Sequence, residues 1–188
     1  RDTANMSYGN GFQSLAVATT GNANTCIGDN TCKALTTASN NTAVGHNSLA
    51  TALSTGGSTA LGAGAGQLST GGSGVFVGTN AGNSVTSGAN NVIIGPSVAS
   101  TTLTTGGSNI LIGASSALTA AAAGTSNTIR IGTSSTAVWS ATGGDTPSTS
   151  TTTVEGQLNV IGAINQFGAA AGTPAHIASG QNTAPALT

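Results

Sequence analysis

Between residues 41 and 113 a short phrase recurs: a polar or small residue, three mostly apolar ones, then glycine. The copies are Asn41-Thr-Ala-Val-Gly45, Ser58-Thr-Ala-Leu-Gly62, Gly74-Val-Phe-Val-Gly78, Asn91-Val-Ile-Ile-Gly95 and Asn109-Ile-Leu-Ile-Gly113. Asn24-Thr-Cys-Ile-Gly28 fits fully, Asn5-Met-Ser-Tyr-Gly9 fits loosely, and Asn127-Thr-Ile-Arg-Ile-Gly132 fits with one extra residue. The closing glycines are spaced by 19, 17, 17, 16, 17, 18 and 19 residues. A fixed period just under twenty residues marks a solenoid, each repeat stacking on the next.

The phrase is short and rich in β-branched residues, so it reads as a strand. Alternation puts its second and fourth positions on one face. The second holds Thr25, Thr42, Thr59, Val75, Val92 and Ile110; the fourth holds Ile27, Val44, Leu61, Val77, Ile94 and Ile112. This face is assigned to the interior of the coil. The third position, then outward, holds Cys26, Ala43, Ala60, Phe76, Ile93 and Leu111 and is also apolar. Apolar residues on both faces imply burial on both. The second covering surface must come from another chain, so Ala43, Ala60, Phe76, Ile93 and Leu111 are the expected homotrimer interface.

A second strand is expected in each repeat, over residues 31–35, 47–53, 64–68, 80–85 and 97–103. Glycine-rich turns follow, three of them nearly identical at 54–58, 69–73 and 104–108, where paired glycines supply the backbone freedom of a tight return. The expected fold is therefore all-β: a parallel β-solenoid or β-roll with two short strands per turn of about 17 residues, assembled as an intertwined or side-by-side homotrimer. The regular coil spans 24–132, with a cap or connection at 1–23. Residues 133–153 read as a Ser/Thr/Gly linker, and 154–188 as a small β or extended segment, the start of a further domain.

Composition narrows the function. Charged residues are only 4% of the 188, the net charge is −1, and 37% are hydrophobic. Disordered chains combine high charge with low apolar content, the opposite balance. Five aromatics are too few for a large globular core, whereas a stacked coil needs only small aliphatic ladders. No basic patch exists to meet nucleic acid phosphates, and no apolar run reaches the length of a membrane span. The first residue is not Met and no signal peptide starts there, so the chain reads as a piece of something longer.

Candidate chemistry is sparse. Cys26 and Cys32 flank the Gly28 turn; their spacing permits a disulfide without establishing one, and two small buried hydrophobes satisfy the pattern as well. Zinc wants four ligands, and His46 is the only histidine nearby. The four acids, Asp2, Asp29, Asp145 and Glu155, are scattered, with no pair set across a glycosidic bond. Neither a Gly-x-Ser-x-Gly elbow nor a P-loop is present. No catalytic, metal or cofactor-binding residue is expected, and no enzyme. Arg130 takes the outward place in the last copy, either solvated or paired with Asp145 or Glu155. Trp139 is expected to pack over the end of the coil. Ice binding would need a Thr-x-Thr array on a flat face, whereas the threonines cluster in turns.

The Asn-Thr-Ala-Val-Gly phrase resembles the head repeats of trimeric autotransporter adhesins, which are trimers of left-handed parallel β-rolls. With its Gly-Gly-Ser-Asn turn and longer period it is more similar to the repeats of tailed-phage fibre and virion-fibre proteins. Asn127-Thr-Ile-Arg-Ile-Gly-Thr133 looks like the phrase that ends such blocks, and 175–185 resembles a segment near the C-termini of phage structural proteins. The period exceeds that of most adhesin heads. The resemblance implies a homotrimeric structural and attachment protein, a fibre or spike segment of a phage virion. Its expected partners are itself, other virion structural proteins and a host surface glycan or protein receptor, met by the exposed turns. The alternative is the head of a bacterial adhesin at the cell surface.

Overall fold

A computed structural model of the chain describes residues 6–52, 56–116, 118, 122–133, 137–142 and 151–153. All of these fall in one compact unit, Arg1–Gly156, and the expectations for 154–188 lie outside the described residues. Ten strands form a single sheet in sequence order: β1 Tyr8–Asn10, β2 Thr25–Ile27, β3 Thr42–Val44, β4 Thr59–Leu61, β5 Val75–Val77, β6 Val92–Ile94, β7 Ile110–Gly113, β8 Thr128–Gly132, β9 Ala137–Thr142 and β10 Thr151–Thr153. β1 to β8 are all parallel, each pairing with the next, so the chain winds seven times to build a β-solenoid. There is no helix among the described residues.

Each repeat phrase found in the sequence becomes one strand, in register with its neighbours: Thr42 lies beside Thr59, Ala43 beside Ala60 and Val44 beside Leu61. The strands stop at three residues for a local reason. A residue with positive φ precedes the phrase (Asn40 +62°, Asn90 +59°, Ser108 +57°), which turns the chain just before the strand begins. At the other end the closing glycine again has positive φ, +131° at Gly45, where an added Cβ would stand 2.6 Å from the Gly62 carbonyl of the next winding. A side chain there would meet both backbone strain and a backbone wall.

The facing of the strands is the reverse of the sequence expectation. Cys26, Ala43, Ala60, Phe76, Ile93 and Leu111 are at most 1% exposed and fill the interior of the coil. They therefore lie inside their own chain. The second and fourth positions point outward and are half-buried or exposed, with Leu61 at 51% and Ile27 at 40%. The interior is completed from the return path by two columns, Cys32, Leu49 and Ala99 in one and Leu35, Ala52, Val85 and Leu103 in the other, with Ala65, Ala81, Val98 and Leu118 buried beside them.

The return path is not a second strand. Alternate residues there take left-handed backbone angles: Asn30 and Cys32, Asn47 and Leu49, Gly64 and Gly66, Ser97 and Ala99. Successive turns result, closed by bonds such as Ser48 N–H to Gly45 O (3.2 Å) and Ala52 N–H to Leu49 O (3.3 Å). The remaining amides still bond between windings, as Leu49 N–H does to Ala65 O at 3.1 Å and Asn47 N–H to Asp29 O at 3.0 Å. The backbone is thus satisfied on this side without extended geometry.

Residues 133–153, expected as a linker, contain two strands. β9 runs antiparallel to β8, with Ile131 opposite Trp139, and β10 runs antiparallel to β9. The parallel ladder therefore ends at β8 and continues as an antiparallel hairpin.

Candidate interaction surfaces

The outward face of β2–β8 is a continuous ordered surface, and its chemistry changes partway along. At β2–β4 the second position is Thr25, Thr42 and Thr59, stacked in register beside a column of Ile27, Val44 and Leu61. From β5 to β8 both columns are aliphatic: Val75, Val92, Ile110 and Ile129 in one, Val77, Ile94, Ile112 and Ile131 in the other. All eight are β-branched and none is fully buried; Ile131 is 42% exposed. No charged residue stands in either column from Thr25 to Ile131. The three stacked threonines face a column of aliphatics, so a Thr-x-Thr array is absent from this face.

Behind this face a column of buried polar side chains runs along the coil at the start of each strand. Asn41 donates Nδ2–H to Asn24 Oδ1 (3.0 Å), and Asn41 Oδ1 accepts the Ser58 backbone N–H (3.0 Å). Ser58 Oγ accepts the Gly74 N–H (3.3 Å), and Asn91, Asn109 and Thr128 continue the series. Asn24, Asn41, Asn91 and Asn109 are at most 1% exposed. The column gives most windings a polar partner in the next one, which pins their register. Gly74 interrupts it, because a Cβ there would lie 2.5 Å from the Phe76 ring.

Turns 69–73 and 104–108 are described in full; of 54–58, residues 54 and 55 lie outside the described residues. Much of their polar capacity is spent inside the stack. Thr70 and Gly71 N–H both donate to Thr86 O (2.7 and 2.9 Å), and Thr104, Thr105 and Gly106 N–H all donate to Ala123 O (3.0 to 3.1 Å). Ser73, Thr105 and Ser108 remain exposed on the surface.

Cys26 and Cys32 are joined by a disulfide with Cα atoms 6.1 Å apart. Both are fully buried, and the bond crosses the interior of one winding from strand to return path. Arg130 is in register with Leu111, in the column that lines the interior, rather than in an outward place. Asp145 and Glu155, its proposed partners, lie outside the described residues, as does the side chain of Trp139. Asp29 accepts the Phe12 backbone N–H at Oδ1 (2.8 Å), which ties the first winding to the second. Among the described residues no three His, Cys, Asp or Glu side chains come together as a metal site, and no helix is long and apolar enough to cross a membrane. No family model, curated protein or solved structure matches the chain.

Proposed function

We propose that this chain is a structural and attachment element, a rigid homotrimeric segment of a phage fibre or spike that presents a host-binding surface. The observation that carries the reading is the outward face of β5–β8, where eight consecutive outward positions are Val or Ile although the interior is already filled from within the chain. A contiguous uncharged apolar face of this kind marks an interaction surface. Rigidity follows from the continuous parallel ladder, which joins each strand from β1 to β8 to the next. The assignment to a virion rests on the likeness of the repeat phrase to phage fibres. In that setting the partners are further copies, other virion proteins and a host glycan or protein, met by exposed hydroxyls such as Ser73, Thr105 and Ser108. The same phrase supports, as the alternative, the head of a bacterial surface adhesin.

Light scattering on the purified 188-residue chain tests the assembly. The expected mass is three times the 17.7 kDa of one chain; a concentration-independent mass of one chain sinks the trimer. Binding of labelled protein to host cells, competed by soluble cell-wall glycans, tests attachment.

A further inference from the structure

The change in chemistry along the outward face divides it into two parts with different work. We propose that copies of this chain hold together through the β5–β8 part alone, while the Thr25–Thr42–Thr59 part stays hydrated between them. The inference rests on the trimer reading above and says which side chains carry it.

The occupant of the aliphatic part is a second copy for two reasons on the face itself. Both columns lack charge throughout, so identical surfaces meet without like-charge repulsion, whereas a partner chosen by charge would have nothing to read. The ridges also recur at the strand spacing, ~4.8 Å, over four successive windings. A partner that fills the grooves between such ridges over that length needs the same repeat, and another copy has it. Contact of one aliphatic column of one copy with the other column of the next is heterologous, and such contacts close into a ring.

The upstream part differs by one atom type at three stacked positions. Thr25, Thr42 and Thr59 replace the valines and isoleucines of the later windings with side chains of nearly the same shape that carry a hydroxyl. Thr42 and Thr59 are exposed, and no hydrogen bond joins the three hydroxyls to one another. A dry interface would strip water from three stacked hydroxyls without replacing it, at a cost of ~1–3 kcal/mol for each unsatisfied group. The sheet itself is indifferent to the exchange, because Thr and Val have similar strand preference. The switch from Thr to Val between β4 and β5 therefore tunes the contact between copies and leaves the coil alone.

Reciprocal exchange tests this on the full chain. One variant carries Val75→Thr, Val92→Thr and Ile110→Thr; the other carries Thr25→Val, Thr42→Val and Thr59→Val. Association is read by sedimentation velocity over a concentration series, and the coil by circular dichroism melting of the dissociated chain. The first variant should raise the dissociation constant at least tenfold with its coil intact, and the second should lower it. A trimer unchanged by the first set, or weakened equally by both, overturns the inference while leaving the trimer standing. A wild-type chain that stays monomeric overturns both. If the Thr variant fails to form the coil, the Val variant decides: unchanged affinity refutes the inference, and tighter association supports it.

Discussion

At the residue scale the interior is governed by volume exchange between the two sides of a winding. Phe76 is fully buried and is the bulkiest side chain in the core. Its ring is walled by Gly66, Gly74 and Gly82, where an added Cβ would stand 2.4 to 2.6 Å from ring carbons. The same two positions hold Ala43 with Leu49, Ile93 with Ala99, and Cys26 with Cys32: one large and one small, or two medium. Ala60 with Gly66 is the exception, both small, and the neighbouring Phe76 and Leu49 take the space beside Gly66. The pairing makes a direct prediction. Phe76→Ala should cost roughly 3–5 kcal/mol, since three glycines cannot collapse to fill the gap. Gly82→Ala should also destabilise, through the clash and through its φ of +60°. In the Phe76→Ala background the clash with the ring is gone and only a 3.1 Å approach to Ile93 Cδ1 remains, so Gly82→Ala should cost little beyond the backbone share of roughly 1–2 kcal/mol. Urea denaturation of the four proteins in this cycle measures the coupling; strict additivity would show that ring and glycine do not share space.

At the element scale the question is what keeps successive strands in register when β1–β6 have only three residues each. The polar column beside the strand starts supplies the answer, and it responds to charge in a defined way. In Asn41→Asp the new carboxylate would face Asn24 Oδ1, an acceptor now 3.0 Å from a donor. Burial raises the pKa of such a carboxyl in the folded chain, and only its protonated form can replace the lost donor. The folded state thus holds the proton more tightly than the unfolded one. The variant should be near wild-type stability below about pH 4, the ordinary Asp range, and lose stability relative to wild type as pH rises from there. Asn41→Ser should lose on the order of 1 kcal/mol without that pH dependence, because Ser7 and Ser58 already serve in this column. Thermal melts of wild type and both variants from pH 3 to pH 8 give the comparison. A wild-type-like profile for the Asp variant would remove the column from any role in register. These strands were legible in the sequence because the phrase and its closing glycine mark each one. Their facing was not, because the three central positions are mostly apolar, Thr25, Thr42 and Thr59 apart, and alternation alone does not say which side is inside. The discriminating signal was the size exchange between positions six apart, Phe76 with Gly82 and Ile93 with Ala99, which has meaning only across a shared interior. The return path carries the apolar residues of a strand, but its Asn and Gly pairs, two apart, set left-handed turns instead. β9 and β10 were hidden in a Ser/Thr-rich stretch whose strand character comes from pairing with β8 rather than from an apolar pattern.

At the scale of the whole molecule, a coil built only from contacts between neighbouring windings should tolerate loss of one winding and reject loss of part of one. The repeats allow this to be posed with little disturbance at the join. Deleting 46–62 connects Gly45 to Ala63, as Gly62 is connected now. It sets Thr42-Ala43-Val44 directly above β5, where Thr59-Ala60-Leu61 stands. Ala43 then meets Phe76 as Ala60 does, and Asn41 Oδ1 replaces Ser58 Oγ as acceptor for the Gly74 N–H. The cost is local: Leu49 is lost from beside Gly66. This deletion should leave a cooperative coil with a lower melting temperature and an unchanged β5–β8 face, hence an unchanged number of copies in the assembly. Deleting 46–57 instead joins Gly45 to Ser58 and removes the return path between two strands. They cannot then lie parallel side by side, because a parallel connection must travel back to the start of the sheet. That variant should lose its cooperative melt and expose the interior to protease. Circular dichroism melts and limited proteolysis of the two deletions distinguish a modular coil from a fold held by contacts across many windings. Equal collapse of both would show that stability here is not a sum over neighbours, and the view of the chain as a stack of interchangeable windings on one shared face would have to be given up.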